Sequence, residues 1–294
     1  MNSKKVNKRK SLIILLFCII CLLLFLSWQN NSIVITKSEY SNPELPKEFD
    51  GFVIAQISDL HNKEFGKEQK ILLRKLKSTA PDIILVTGDL IDRRRYDLEK
   101  DMNFIKGALK IAPVYYVSGN HEAWSDQYTN VKASLINSGV TVLDNSMVEY
   151  TIGNSSINLL GLQDPAFISA NTIEDTKGLG FYDSLKQWSS NDNFQILLSH
   201  RPELFDLYTE HNIDLVFSGH AHGGQFRLPF IGGGLVAPDQ GVFPQYTSGS
   251  YNKNQTTMYV SRGLGNSIIP IRIFNRPEIV LVKLKSQAII SQLF

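Results

Sequence analysis

Five of the six histidines fall in four short clusters, and each cluster directly follows a run of apolar, strand-like residues. The clusters read Asp59-Leu60-His61, Gly119-Asn120-His121-Glu122, Ser199-His200-Arg201 and Gly219-His220-Ala221-His222. An acidic one, Gly88-Asp89-Leu90-Ile91-Asp92, lies between the first two. Imidazoles set beside carboxylates at strand ends require a fold in which those ends converge, and the simplest product of that convergence is a metal centre.

Between the clusters the chain alternates. Phe52 to Ile57, Ile83 to Val86 and Val114 to Val117 read as strands, and Lys67 to Ser78, Leu98 to Lys110 and Tyr128 to Ile136 as helices. That rhythm predicts a largely parallel sheet covered by helices. Val140 to Val142, Val148 to Ile152 and Ile157 to Leu160 read instead as short antiparallel strands, as do Met258 to Val260, Ile271 to Phe274 and Ile279 to Leu284. Phe194 to Leu198 and Leu215 to Phe217 return to the buried type, with a helix from Pro202 to about Glu210 joining them. Ser32 to Pro46 is polar after a β-like start and reads as a link into the folded domain.

Ahead of that link, Lys4, Lys5, Lys8, Arg9 and Lys10 precede an unbroken apolar run closed by Ser27 and Trp28. At the helical rise, Ser11 to Trp28 spans roughly 27 Å, close to a hydrocarbon core, and no small-x-small cleavage pattern follows. The expectation is a single-pass anchor with a cytoplasmic amino terminus and the rest of the chain outside the cell membrane. Both cysteines, Cys18 and Cys21, lie inside this helix, so the remainder can have no disulfide, thiolate ligand or cysteine nucleophile. Lysine plus arginine (30) nearly balances aspartate plus glutamate (28), and a net charge of +2 gives no field for gripping a polyanion. No nucleic-acid partner is expected, and no protein partner can be inferred.

Each motif alone has a plainer reading: Asp92 as a helix cap, Gly119-Asn120 as a turn, the arginines after Asp92 as a solvated face. In order, however, the set Asp-x-His, Gly-Asp-x-x-Asp, Gly-Asn-His-Glu, a lone His and Gly-His-x-His resembles the calcineurin-like metallophosphoesterases, over roughly Leu45 to Lys285. The extension through Gln225, the segment Leu228-Pro229-Phe230, and Ser261-Arg262-Gly263-Leu264-Gly265 resemble the membrane-anchored bacterial YkuE/YaeI-like group of that family.

The resemblance implies an α/β fold, a four-layer αββα sandwich of two mixed sheets flanked by helices, over residues 32–294, behind a basic tail and anchor over residues 1–31. It implies two divalent ions, manganese, iron or zinc, with Asp59, His61 and His222 on one, Asn120, His200 and His220 on the other, and Asp89 shared. A hydroxide between the ions would attack a phosphodiester or pyrophosphate bond, with His121 serving the departing oxygen. Lipid- or cell-wall-linked substrates such as UDP-diacylglucosamine-like glycolipids are the expected class. Asp92 and Glu122 are candidates to orient imidazoles, and Arg93, Arg94 and Arg262 to receive anionic parts of a substrate. The glycine- and aromatic-rich stretch from Ile231 to Tyr251 reads as a wall of the site. The competing expectation is a metal-dependent binding or scaffold module on the same fold. Such relatives lose a ligand or the extra histidine, whereas here every position, His121 included, is filled.

Overall fold

The computed structural model describes residues 2–168, 181–191, 193–227, 233–266 and 270–287. A long helix α1 (Asn2–Asn31) leads into β1 (Val34–Asn42). There follow β2 (Val53–Ile57), α2 (Lys70–Lys77), β3 (Ile83–Thr87), α3 (Leu98–Ala108), β4 (Val114–Val117), the single turn α4 (Asn120–Ala123), α5 (Tyr128–Asn137) and β5 (Thr141–Val142). The second half runs β6 (Ser146–Ile152), β7 (Ser155–Gly161), α6 (Phe181–Trp188), β8 (Gln195–Leu198), α7 (Phe205–Glu210) and β9 (Leu215–Ser218). It closes with β10 (Val236–Ala237), β11 (Gly241–Val242), β12 (Gly249–Lys253), β13 (Thr256–Val260) and β14 (Glu278–Ser286).

These strands form two six-stranded mixed sheets, ordered β1-β14-β2-β3-β4-β5 and β12-β13-β9-β8-β7-β6. The packing follows from strand alternation, which sends successive side chains to opposite faces. In β3, Ile83 and Leu85 join Ile196, Leu198, Leu215 and Phe217 in the core between the sheets. Ile84 and Val86 face the other way, against Leu72 and Leu76 of α2 and Phe104 and Ile105 of α3. Leu197 and Val216 cover the outer face of the second sheet with Leu185, Trp188, Phe205 and Tyr208 from α6 and α7. The four layers are therefore helix, sheet, sheet, helix, and strands buried on both faces explain the continuous apolar runs.

Several readings from the sequence need correction. The supposed link is largely strand: β1 pairs in parallel with β14 from Val34 opposite Glu278 to Asn42 opposite Ser286. β5 pairs in parallel with β4, not antiparallel, because α5 returns the chain to the end where β4 began. Ile271 to Phe274 forms no strand beyond one bridge, Ile273 to Phe226. There the buried Arg272 turns the chain by polar contacts, donating its guanidinium to the carbonyls of Arg262, Gly265 and Asn275. Helix α6 had no counterpart in the sequence reading, and Leu228-Pro229-Phe230 lies outside the described residues.

Within α1, Arg9–Asn31 is 23 residues long and holds an 18-residue window with a mean hydropathy of 2.9, long and apolar enough to cross a membrane. Its last turn is fixed to the sheets. Asn30 Oδ1 accepts the Arg272 amide and Asn266 Nδ2, each at 3.1 Å. The Arg276 guanidinium lies 4.6 Å from the Trp28 ring and donates to Ser32.

At the end of β8 and β9 away from the histidines, Asp214 Oδ2 accepts the Gln195 amide at 2.7 Å. Burial raises its carboxyl from 3.8 to about 6. The folded chain then binds more protons than the unfolded chain between those values, so this group's contribution to stability declines as pH rises through that window. Asp214→Asn removes the titration: denaturant unfolding of the variant relative to the parent should improve by up to about 3 kcal/mol from pH 4 to pH 7. A pH-independent difference would show that Asp214 titrates alike in both states.

Candidate metal centre

All five motif loops leave the carboxyl ends of strands, with Asp59 after β2, Asp89 after β3, Asn120 after β4, His200 after β8 and His220 after β9. The first three strands lie in one sheet and the last two in the other, so the site sits on the seam between sheets. Hydrogen bonds join the loops both within one sheet and across that seam. The Asp59 amide donates to the Gly88 carbonyl at 3.0 Å, and the His220 amide reaches both Asp59 carboxylate oxygens at 3.2 Å. Gly219 is required for this approach, since a Cβ there would lie 1.9 Å from Ser58 Oγ. Gly88, at φ +87°, is pressed by the His200 ring, 2.6 Å from where a Cβ would stand.

The side chains converge. Asp59, His61, Asp89 and His222 place ligand-type atoms within 4.8 Å of one another, as do Asp89, His200 and His220, and every one of them is buried. Asp89 belongs to both groups: its Oδ2 lies 3.6 Å from His61 Nε2 and 3.3 Å from His200 Nε2. His222 Nε2 stands 3.1 Å from His61 Nε2 and 3.3 Å from Asp59 Oδ1. Asp59, His61, Asp89, His220 and His222 all hold left-handed backbone conformations, φ between +47° and +63°. Each costs a non-glycine residue of the order of 1 kcal/mol, a local strain that the surrounding structure must sustain and that concentrates at functional sites.

The donor set fits divalent cations. His200 Nδ1 lies 2.7 Å from the Thr87 carbonyl, which fixes its proton there and turns the Nε2 lone pair to the centre. His220 Nε2 lies 2.8 Å from Asp239 Oδ2 and 2.9 Å from Arg201 Nη1 on the outer side of the ring, which leaves Nδ1 facing inward, 3.2 Å from His200 Nε2. Burial holds His61 down at about 3 and depresses His222, so both rings are neutral and offer lone pairs. Burial also presses His200 down, but the Asp89 carboxylate outweighs it and lifts that imidazole to about 10. Facing nitrogens and carboxylates thus draw a proton into the site, and a divalent ion meets the same demand with more charge. Asn120, first residue of α4, is buried, and its Oδ1 has no hydrogen-bond partner among the described residues.

Residues 52–224 match the family model for calcineurin-like phosphoesterases. The chain belongs to that family. It is a metal-dependent phosphoesterase, and the buried His/Asp groups are of the kind that family uses to hold divalent metals. An uncharacterized metallophosphoesterase of Bacillus subtilis, YkuE, is 32% identical over 82% of this chain and 82% of its own. The UDP-2,3-diacylglucosamine pyrophosphatase LpxG of Chlamydia muridarum is 26% identical over 87% of this chain and 92% of its own. The phosphodiesterase YaeI of Escherichia coli is 25% identical over 79% and 82%.

Other expected site residues fare unevenly. His121 is buried against the centre, its ring 4.4 Å from that of His61. Its Nδ1 lies 3.2 Å from the Arg93 amide and 3.7 Å from Asp92 Oδ1. Arg93 stacks over Trp124 at 4.6 Å beside it. Arg94 is exposed, and its amide bonds Asp92 Oδ1 at 2.9 Å. Arg262 is engaged by Glu278 at 2.7 Å. Asp92 caps no helix; the residue that caps α3 is Asp97. Glu122 orients no imidazole: it accepts the backbone amides of Asp89, Ile91 and Gly119 at 2.9, 3.1 and 2.7 Å, locking two motif loops together. Of the expected wall, Tyr246 and Tyr251 pack on each other 5.0 Å apart against the outer core, while the β10–β11 hairpin brings Asp239 to His220.

Asp239 and Arg201 were missed. Arg201 bonds Asp164 through Nε at 2.6 Å and Nη2 at 2.9 Å, and its Nη1 contacts Asp239, so Asp239 is clamped where it fixes His220. The signal available was Arg201, directly after His200 inside a quoted cluster; Asp239 carried none. Removal of the Glu122 carboxylate leaves three buried amides without acceptors, each worth about 1–3 kcal/mol. Glu122→Ala should lower unfolding free energy by roughly 3 kcal/mol or more. A loss under about 1 kcal/mol in chemical denaturation would mean that water replaces the carboxylate.

Proposed function

We propose that this chain is a membrane-anchored, dinuclear-metal phosphoesterase that hydrolyses phosphodiester or pyrophosphate bonds, with substrates of the lipid- or cell-wall-linked kind such as UDP-diacylglucosamine-like glycolipids. The observation that carries it is Asp89, shared between two buried donor groups. In this reading Asp59, His61 and His222 hold one ion, Asn120, His200 and His220 the other, and Asp89 both. When bound, the ions would supply Lewis-acid polarisation of the phosphoryl oxygens and of water.

The chain's own residues do the rest. Asp89 Oδ1 accepts the His121 amide at 2.8 Å, which fixes the base of α4 beside the centre. The Arg93 amide occupies His121 Nδ1, so the neutral ring carries its proton at Nε2 and offers it to charge building on the departing oxygen. Burial lowers the His121 pKa and keeps it in that neutral form. Arg93, stacked on Trp124 next to His121, and the exposed Arg94 are placed to meet an anionic substrate.

Residues 1–31 form the tail and anchor and 32–294 the catalytic domain, with the basic cluster at Lys4 to Lys10 kept in the cytoplasm and the domain outside. The length and hydropathy of α1 support an anchor. The LpxG and YaeI likenesses support the bond class, and LpxG the glycolipid substrate.

Manganese-supplemented protein should turn over an aryl phosphodiester. Asp89→Asn should lose both turnover and metal. His121→Ala should keep metal by elemental analysis yet lose at least about a hundredfold in kcat; unchanged kcat would point to a binding module. Asp239→Ala, which frees the His220 ring, should weaken metal retention against a chelator by about ten- to a hundredfold. Equal retention would remove His220 from the ligand set.

A further inference from the structure

A cavity of about 390 Å³ opens beside the metal centre, lined by His61, Asn62, Lys63, Arg95, Lys100, Asn266 and Pro270. Three of these side chains are basic and none is acidic, with Asp92 and Asp97 standing behind Arg95 and Lys100. Each cation is held in place yet retains donors. Lys63 Nζ donates to the Asn30 carbonyl at the end of α1, which uses one of its three protons. Arg95 is ion-paired to Asp92 Oδ2 through Nε at 2.8 Å and Nη2 at 2.5 Å and gives Nη2 also to the Asn266 carbonyl at 2.9 Å, and no contact of Nη1 is found among the described residues. Lys100 Nζ meets Asp97 Oδ2 at 2.8 Å. Asn266 is tied to Asn30 Oδ1 at 3.1 Å, so the cavity lies between the centre and the last turn of α1.

We infer that this cavity is a subsite for a second phosphate, in series with the one attacked at the metal centre, so that the chain prefers diphosphate diesters over single-phosphate diesters. The inference rests on the phosphoesterase reading and names its substrate class. The geometry favours this cavity over the arginines singled out from sequence because Lys63 and Arg95 line it together with His61, and Arg95, though paired with Asp92 as Arg262 is with Glu278, keeps Nη1 for a ligand, whereas Arg93 lies over Trp124. An anion placed there meets the remaining donors of Lys63 and Arg95, with no carboxylate in the lining itself, and pre-positioned Lys and Arg donors lose little freedom in binding it. Because Asn30 contacts both Lys63 and Asn266, a head group arriving from a bilayer spanned by α1 meets this cavity first.

The test uses the full chain in detergent micelles with manganese and three probes: bis(p-nitrophenyl) phosphate, the soluble diphosphate UDP-glucose, and a lipid-linked sugar diphosphate in the same micelles. Lys63→Met and Arg95→Met should each lower kcat/KM for both diphosphates about tenfold more than for the aryl diester, through KM, and Lys63→Arg should restore most of it. Lys100→Gln, at the half-exposed rim, should change the same ratio in the same direction and serves where thermal melts show that a Lys63 or Arg95 variant is unfolded. An unchanged ratio overturns the subsite, as does failure of the parent to prefer either diphosphate over the aryl diester. A loss confined to the lipid-linked probe also overturns it, assigning these charges to the bilayer surface. Absence of turnover on all three probes fails the phosphoesterase reading itself.

Discussion

The structure turns on the Asp89 carboxylate. Taking a carboxylate out of water is costly unless cations or donors surround it. Here Oδ1 accepts the His121 amide, Oδ2 faces the imidazoles of His61 and His200, and the backbone amide of the same residue is fixed by Glu122. Burial pushes the Asp89 carboxyl up, but the His200 imidazole outweighs it and holds the group well below the ordinary range. Asp59, the second carboxylate of the cluster, is driven the opposite way by burial. Two acids of one pocket thus differ because the His200 imidazole stands 3.3 Å from Asp89 Oδ2 but 4.0 Å from Asp59 Oδ1, and the Asp89 carboxylate itself adds to what burial does to Asp59. The arrangement is stable only where positive charge enters it, which is the physical content of calling it a metal centre.

Much of this was legible in the sequence. β3 and β8 are buried on both faces, so their apolar runs stood out, and a charged residue just past such a run marks where the chain leaves the sheet. Periodicity gave α2, where Leu72 and Leu76 face the core one turn apart. What escaped depended on partners distant in sequence. β1 reads as polar because its outward residues lie on a sheet edge, and its pairing with β14 spans most of the chain. Ile271 to Phe274 has strand-like composition, but the buried Arg272 demands carbonyls that a ladder would have used.

The site divides the same way. Residues that face the centre lie in short motifs beside strand ends and were found together. Those that hold them came from elsewhere: Asp239, in the turn of a hairpin, meets His220 directly, and Asp164, in the loop after β7, acts through Arg201, which clamps Asp239 in place. Glu122 was noticed for its charge and given the wrong task. A carboxylate three residues into a helical turn is placed to accept amides at the start of that turn, and Glu122 accepts those of Gly119 and of the neighbouring loop.

The last turn of α1 links this chemistry to the proposed membrane setting. A flexible linker would let the domain sample many orientations over a bilayer, raising local concentration without directing the site. Here no such linker exists among the described residues: α1 ends at Asn31 and β1 starts at Val34. Asn30, Ser32 and Trp28 are all bonded or stacked to residues of the loop before β14. That same loop, through Arg272, supports the Gly263 to Gly265 backbone, whose Gly265 amide closes on the Asp59 carbonyl at 2.6 Å. Helix α1 and the metal centre are therefore joined by a short run of hydrogen bonds with little room to swing. If α1 spans a bilayer, the height and facing of the site above its surface are set by the fold, and a substrate head group must reach the centre at that fixed height.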